Sequence, residues 1–281
     1  MKRILITGAN SYIGMSFEKY ISENYPGEYV VDTVDMIDGS WRNKSFSGYD
    51  SVFHVAGIAH LKETKKNAHL YYEVNRDLAI EIANKARGEG VKQFVFLSSM
   101  SVYGMDTGVI TKDTEPKPKT NYGKSKLQAE NSIVHLSDEN FKVCIIRSPM
   151  VYGKGCKGNF QTVVRIVKKS PIFPYVKNQR SMIYIVNLCS FVRMCVDNSL
   201  EGLFHPQNKE YVSTIDMARW ISEVLNKKIY FEYITGGCVR ILRHFYTKAK
   251  KGFGSLVYDL NEPRDYCVIS VEDSVKESVT V

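Results

Sequence analysis

The sequence has no apolar run as long as a membrane span, so no transmembrane helix is expected. Its N-terminus, MKRILITGAN, passes from charge to a glycine turn within a few residues. That is too short for a signal-peptide core and offers no small-residue cleavage site, which favours a cytoplasmic protein. Internal repeats and low-complexity segments are also lacking. The length of 281 residues suits one large domain or two unequal lobes.

Paired cysteines are lacking as well. The six cysteines are scattered, and no two have the C-x-x-C spacing of a zinc site or a redox pair. Several stand in apolar runs such as KVCIIR and FVRMCV, which is typical of buried thiols. We expect no metal site.

The net charge of +8 has two interpretations. Either the protein binds an anion, such as a nucleotide or an acidic membrane, or the charge is solvated surface. Nucleic acid is not expected, because neither a stacking-aromatic motif nor a recognition helix accompanies the charge. The most basic stretch is CVRILRHFYTKAKKGFG, residues 238–254, whose apolar residues recur at roughly helical spacing. Such a helix either lies on a membrane surface or, more often, packs on its own domain.

Strand-like and helix-like segments alternate through the first half of the chain. Runs such as RILIT, EYVVDTVD and KQFVFLSS are separated by longer helical segments, which indicates βαβ units and a parallel sheet. The strands show little polar alternation, as expected when both faces are covered. We predict an α/β fold: a Rossmann-like doubly wound sheet over residues 1–152 with a return at about 182–200. A smaller α+β substrate lobe is expected from residues 153–181 and 201–281.

The first predicted strand runs into a glycine turn, TGANSYIG. Between a strand and a helix, such a turn presents backbone N–H groups and a helix N-terminus to a pyrophosphate. One glycine permits the tight turn and the last permits close helix–strand packing, while a serine takes the middle glycine position. The turn therefore predicts dinucleotide binding, with candidate contacts at Gly8, Asn10, Ser11, Tyr12, Ile13 and Gly14.

An acidic residue is expected about 20 residues after this turn, where it would hold the adenosine ribose. VVDTVDMID offers Asp32, Asp35 and Asp38, and Asp35 falls at the strand end. A carboxylate there accepts hydrogen bonds from the ribose of NAD and repels the 2′-phosphate of NADP. We expect NAD, with NADP as the alternative if Arg42 folds back toward the ribose. The competing interpretation of Asp35 is an ordinary solvated loop carboxylate.

A tyrosine stands four residues before a lysine in TNYGKSKLQAE, at the start of a predicted helix. Residues i and i+4 share a helix face, and an adjacent ammonium lowers the pKa of a phenol. Taken alone, Tyr122 and Lys126 are more often a chance pair on a solvated helix face. However, the strand FVFLSS should end near the cofactor, bringing Ser98 and Ser99 to the same place. A serine, a tyrosine and a lysine beside a nicotinamide form a proton-transfer device for a carbonyl or an alcohol.

In their joint order, TGANSYIG, HVAG, SSMSVYG, YGKSK, RSPMVYG and QRSMIYIVNL resemble the motifs of extended short-chain dehydrogenases/reductases. The resemblance is to the NAD-dependent epimerase/dehydratase family, over at least residues 1–200. It implies a catalytic set of Ser99, Tyr122 and Lys126, with Ser98 beside the nicotinamide ribose. It further implies cofactor contacts at Ala56, Gly57, Asn75 and Pro149, and substrate contacts at Asn159, Phe160 and Arg180.

Four segments resemble a narrower group: FSGYDSVFHVAG, GNFQ, SPIFPYVKNQRSMIYIVNL and GLFHPQN. This group contains capsule and O-antigen enzymes that act on UDP-4-keto-6-deoxy-N-acetylhexosamines. The resemblance implies NAD(P)-dependent reduction of the 4-keto group of a UDP-sugar. The alternatives are a UDP-sugar 4-epimerase of the UDP-glucose or UDP-N-acetylglucosamine type and, more remotely, a non-catalytic dinucleotide sensor. Family members are often dimers through helices of the first lobe, so a homodimer is one expectation.

The chain departs from the family pattern at several positions. Ser11 replaces the middle glycine, Met150 stands where many members have an asparagine, and Ala59 stands where the epimerase has a lysine. The usual second pyrophosphate arginine has one candidate, Arg264 in EPRDY. These departures bear on the substrate more than on the fold.

Overall fold

The structure is a computed structural model that describes residues 1–59, 61–233, 253–259 and 263–279. The chain divides into two compact units. The first unit comprises Met1–Gly104, Pro116–Ser148 and Cys189–Pro206, and the second comprises Met105–Glu115, Pro149–Leu188 and Gln207–Val281. Of the basic stretch 238–254, residues 238–252 lie outside the described residues.

Strands and helices alternate through most of the first half of the chain, as the sequence predicts. The strands are β1 (Lys2–Thr7), β2 (Tyr29–Val34), β3 (Ser51–His54), β4 (Gln93–Ser99), β5 (Gly108–Ile110), β6 (Lys142–Ser148), β7 (Met150–Tyr152), β8 (Ile172–Pro174), β9 (Met182–Tyr184), β10 (Gly202–Phe204), β11 (Tyr230–Glu232) and β12 (Leu256–Tyr258). The helices are α1 (Tyr12–Asn24), α2 (Ala68–Tyr72), α3 (Leu78–Gly88), α4 (Asn121–Ile133), α5 (Asn159–Lys169), α6 (Ile185–Asp197), α7 (Thr214–Val224) and α8 (Val271–Val279).

The first unit is built on a six-stranded parallel sheet in the order β10-β6-β4-β3-β1-β2. The order reverses at β1, which pairs with β2 on one side and with β3 on the other. Ile4, Leu5 and Ile6 of β1 are fully buried, so both faces of the sheet are covered. The predicted Rossmann-like α/β fold is confirmed, and the switch point beside β1 is where such sheets bind ligands.

Ser11 explains where α1 begins. Its backbone is extended, and its hydroxyl accepts a hydrogen bond from the Gly14 N–H at 3.1 Å. This caps one of the N–H groups that a helix start leaves unpaired. The serine that replaces the family's middle glycine is therefore an N-cap in this chain.

The second unit contains three two-stranded parallel sheets, β5 with β12, β7 with β9, and β8 with β11. Helix α5 packs against α7, and α7 packs against α8. Its strands have three residues each. Among the described residues of both units, no helix is long and apolar enough to cross a membrane.

A buried ion pair ties three elements of the first unit together. The Arg147 guanidinium at the end of β6 donates to both carboxylate oxygens of Glu130 on α4, with an Nη2–Oε2 distance of 2.7 Å. The Ser98 hydroxyl at the end of β4 donates to the same carboxylate. Arg147 also donates to the Tyr103 hydroxyl at 2.7 Å, which lies 2.6 Å from the His205 Nε2. The side chains of the pair are 9% and 3% exposed.

Replacing one partner of this pair should be costly. We expect Arg147→Met to lower the free energy of unfolding by about 3–5 kcal/mol, because the Glu130 carboxylate would stay buried without its counter-charge. The double variant Glu130→Leu/Arg147→Met should lose less than Arg147→Met alone. Urea unfolding followed by circular dichroism measures both.

The matched control is Arg87→Met, which removes an exposed pair with Asp138 of similar distance, 2.6 Å. It should change stability by no more than about 1 kcal/mol. Equal losses for Arg147→Met and Arg87→Met would contradict a dominant role of the buried pair.

Candidate active site

The first turn of α4 positions the predicted catalytic tyrosine. Thr120 caps this helix, its hydroxyl accepting from the Gly123 N–H at 3.1 Å. A Cβ on Gly123 would lie 2.5 Å from the Ser101 carbonyl oxygen, so only glycine allows the helix to approach the turn after β4 this closely. That approach brings the first turn of α4 to the end of β4, where the Ser99 hydroxyl acts on Tyr122 and tends to lower its pKa.

Lys126 follows one helical turn later and is 4% exposed. Its ammonium donates to the Leu97 carbonyl at 2.9 Å and lies 4.6 Å from the Phe96 ring centroid. Burial lowers the pKa of Lys126 to about 8, and the charge of Glu130 opposes that shift. Ser99, Tyr122 and Lys126 thus lie together in the first unit.

The expected direction of the Tyr122 pKa is wrong. Burial raises the pKa of Tyr122 above its ordinary value, and the hydrogen bond with Ser99 offsets this only in part. A lowered pKa requires an ammonium directed at the phenol, whereas the Lys126 ammonium is bonded to the Leu97 carbonyl at the end of β4. Desolvation therefore outweighs the neighbouring charge in this structure.

The backbone at the switch point fits a pyrophosphate. Gly8 has a φ of 113°, and a Cβ there would lie 2.8 Å from the Ala56 nitrogen. The turns after β1 and β3 therefore meet without a side chain between them, at the N-terminus of α1. A helix N-terminus that follows a glycine turn is the usual cradle for a dinucleotide. Asn10 is also in the left-handed region, with a φ of 64°.

Gly57 makes a second close approach. A Cβ on it would lie 2.9 Å from the Asn75 Oδ1 and 3.4 Å from the Lys126 Nζ. Asn75 sits in a π-helical turn, residues 73–77, between α2 and α3. Its amide accepts from the Ile58 N–H at 2.8 Å and donates to the Ile58 carbonyl at 3.1 Å. Asn75 thus holds the segment after β3 in place. Its side chain is fully buried, so it would act on a cofactor by positioning that segment.

The three carboxylates near β2 differ in their surroundings. Asp32 accepts from the Tyr49 hydroxyl at 2.6 Å, and Asp38 caps the Ser40 N–H at 2.9 Å. Asp35 directly follows β2 and accepts from the Ile37 N–H at 2.8 Å through one carboxylate oxygen. Its position at the carboxyl end of β2 suits the predicted contact with a ribose.

Several other predicted contacts have side chains turned elsewhere. The Ser98 hydroxyl is engaged by Glu130, so a ribose contact would come from its backbone. Tyr12 and Ile13 are half-buried in the first turn of α1. Pro149 belongs to the second unit. Glu130, Arg147 and His205 were not predicted, although Glu130 stands four residues after Lys126 and so on the same helix face.

The predicted substrate residues lie in the second unit. Asn159 is exposed at the start of α5, whereas Phe160 is 1% exposed and stacks on Tyr152 with ring centroids 5.4 Å apart. The Phe160 ring is therefore core, and only its backbone is left for a uracil. Arg264 donates to the Asp259 carbonyl at 3.2 Å.

Arg180 has the features of an anion-binding residue. Its Nη1 donates to the Gly254 carbonyl at 3.1 Å, and within the described ranges no hydrogen-bond partner reaches its Nε. Burial lowers the pKa of Arg180, because desolvation disfavours its charged form. A buried guanidinium with an unsatisfied N–H is costly, and a bound diphosphate would satisfy it.

Comparison with known proteins agrees with the fold and the motifs. Residues 4–203 match the NAD dependent epimerase/dehydratase family. The chain belongs to this family. It is 29% identical to a UDP-glucose 4-epimerase of Vibrio cholerae, over 94% of this chain and 89% of that protein.

Two solved structures share the fold at a TM-score of 0.75 each. One is a UDP-glucuronic acid 4-epimerase from Bacillus cereus in complex with NAD, 18% identical, covering 99% of this chain and 95% of that one. The other is a dTDP-4-dehydrorhamnose reductase from Clostridium acetobutylicum, 22% identical, covering 99% and 98%. Family members of both reaction types therefore have this architecture.

The buried Lys126 should make the folded protein less stable than an apolar substitute would. We expect Lys126→Met to raise the free energy of unfolding at pH 7 by roughly 1–3 kcal/mol, because the depressed pKa means that charging this lysine opposes folding. Between pH 8 and 10.5 the folded wild type binds fewer protons than the unfolded chain, so its stability rises and the difference shrinks.

Urea unfolding at pH 7 and pH 10 tests this, with Lys124→Met as the control, since Lys124 is exposed on the same helix. A Lys126→Met variant that is less stable than wild type at both pH values would contradict the cost assigned to the buried charge.

Proposed function

We propose that the protein reduces the 4-keto group of a UDP-linked 4-keto-6-deoxy-N-acetylhexosamine. The observation that carries the proposal is the placement of Tyr122 and Lys126 one turn apart on α4, with the Lys126 ammonium bonded to the end of β4 that carries Ser99, all within the unit that has the glycine turn. A non-catalytic sensor would not need this set. The family membership supports an NAD(P)-dependent enzyme acting on sugar nucleotides.

The chemistry divides between cofactor and protein. When bound, a reduced nicotinamide supplies the hydride that the carbonyl carbon accepts. Tyr122 donates a proton to the forming alkoxide, and its raised pKa keeps the phenol protonated at neutral pH, as a donor requires. Ser99 hydrogen-bonds the same oxygen, where negative charge develops in the transition state. Lys126, which donates to the Leu97 carbonyl, would supply a buried positive charge to the ribose of a bound cofactor.

The substrate assignment depends on sequence segments and on Arg180. FSGYDSVFHVAG, GNFQ and GLFHPQN favour a UDP-N-acetylhexosamine of capsule or O-antigen synthesis. The unsatisfied guanidinium of Arg180 favours a diphosphate. Nucleotide sugars and nicotinamide cofactors are cytoplasmic metabolites, which supports a cytoplasmic location.

A 4-epimerase is the second candidate, and it has its own support in the Vibrio cholerae relative, which covers nearly the whole chain. An epimerase oxidises C4, turns the keto sugar over and reduces the other face, so it keeps its cofactor through the cycle. Ser99 and Tyr122 would then serve in both directions, with Tyr122 as base and as acid.

One experiment separates the two candidates. The purified protein is incubated with UDP-4-keto-6-deoxy-N-acetylhexosamines and with UDP-hexoses, with and without added NADH, and absorbance and products are followed. A reductase consumes one NADH per product and is inactive without it. Conversion of UDP-glucose or UDP-N-acetylglucosamine without added cofactor, by protein that carries NAD through purification, would replace the first candidate with the second.

Tyr122→Phe should lower kcat by a factor of about 10² to 10⁴, the usual contribution of a general acid, with little change in cofactor affinity. The matched control is Tyr72→Phe, which removes a hydroxyl bonded to Asn121 at 2.9 Å in the same region. If Tyr122→Phe keeps half the wild-type kcat, another group donates the proton.

Arg180→Ala should raise the KM for the UDP-sugar and leave kcat nearly unchanged, because a charge-assisted diphosphate contact is worth roughly 1.5–3 kcal/mol. Arg165→Ala, which removes an exposed arginine of the same unit, is the control. A loss confined to kcat would show that Arg180 does not bind the ground-state diphosphate.

A further inference from the structure

The loop after β2 carries an arginine whose position bears on cofactor choice. Gly39 adopts a left-handed conformation with a φ of 75°, and a single 3₁₀ turn follows over residues 40–43. Trp41 anchors this turn, being 1% exposed. Arg42 comes next and is the only arginine or lysine between Tyr29 and Asn43. Because Trp41 is buried directly before it, the backbone position of Arg42 is fixed.

Arg42 folds back over its own loop toward Gly39, which stands four residues after Asp35. A Cβ built on Gly39 would be 3.1 Å from the Arg42 Nη1, so the guanidinium reaches back over the loop only four residues after Asp35. It also lies over the Trp41 ring, 4.5 Å from its centroid. A guanidinium in this region is the feature that lets a dinucleotide site accept a ribose 2′-phosphate.

The Arg42 guanidinium already forms a salt bridge with Glu81 on α3. The Arg42 Nε donates to the Glu81 Oε1 at 2.6 Å, and the Nη2 donates to the Oε2 at 2.6 Å. This two-pronged arrangement uses the same pair of N–H groups with which arginine binds a phosphate. The Lys85 ammonium ties the turn to α3 by donating to the Arg42 carbonyl at 3.1 Å, and its charge is paired with Glu89.

We propose that Glu81 is a cofactor-specificity residue: by holding and neutralising Arg42, it keeps the loop after β2 from accepting the 2′-phosphate of NADPH. The proposal rests on the cofactor site of the proposed function but not on the identity of the sugar. Without Glu81, the same loop presents an unpaired guanidinium near Asp35. With Glu81, an incoming phosphate must displace a carboxylate and also face the Asp35 and Asp38 side chains, which repel it.

The test is a double-variant cycle on direct binding. Dissociation constants for NADH and NADPH are measured by nicotinamide fluorescence on the full chain without sugar, for wild type, Glu81→Gln, Arg42→Gln and the double variant. Both side chains are about half exposed, so the variants should fold, and thermal melting verifies this. Glu23→Gln is the control, since Glu23 is an exposed glutamate of α1 paired with Lys19 at 3.7 Å.

Wild type should bind NADH more tightly than NADPH. Glu81→Gln should bind NADPH about 2- to 5-fold more tightly, in line with exposed ion-pair strengths, and NADH unchanged. The double variant should lose this tighter NADPH binding, because the effect of Glu81→Gln depends on the Arg42 guanidinium. The gain should also shrink at high salt.

Three results would overturn the proposal. In the first, Glu81→Gln changes the ratio of the NADPH and NADH dissociation constants no more than Glu23→Gln does. In the second, the tighter NADPH binding persists in the double variant. In the third, the wild type binds NADPH more tightly than NADH. Binding of neither cofactor by the wild type would overturn the proposed function as well. Tight NADH binding with an unmoved ratio would overturn this inference alone.

Discussion

The Glu130–Arg147 ion pair is the interaction on which the geometry of the first unit depends. Glu130 is on α4, Arg147 is at the end of β6, and the Ser98 hydroxyl at the end of β4 donates to the same carboxylate. The catalytic candidates stand on these elements, since Ser99 follows Ser98 and Lys126 precedes Glu130 by one turn. Fixing α4 against the strand ends therefore fixes Tyr122 against Ser99.

A buried ion pair costs desolvation energy that a pair of apolar side chains would not. The polar neighbours of this pair reduce that cost, because Ser98 and Tyr103 satisfy further donors and acceptors. His205 closes the chain of hydrogen bonds, and burial together with the Arg147 charge lowers the pKa of His205 to about 4. It is therefore neutral at physiological pH and shares a hydrogen bond with the Tyr103 hydroxyl, so the network carries no uncompensated charge at that end.

Burial acts in opposite directions on the two ionisable catalytic candidates. It raises the pKa of Tyr122 and lowers the pKa of Lys126, because each shift favours the neutral form. A neutral phenol is a proton donor, which suits the reductive direction. The Lys126 ammonium retains its charge at neutral pH with help from Glu130, and it donates to the Leu97 carbonyl.

Local pattern in the sequence determined the parallel α/β fold, the glycine turn before α1 and the placement of Tyr122 and Lys126 on one face of α4. These features depend on periodicity and on the conformational freedom of glycine, which neighbours along the chain reveal. Only the tertiary structure decided which partner each polar group meets. Ser98 bonds Glu130 across 32 residues, Arg42 bonds Glu81 across 39, and Phe160 turns into the core of the second unit. The tertiary structure also decided the pKa of Tyr122. Burial raises it, and that burial comes from atoms of distant segments and not from the lysine four residues away.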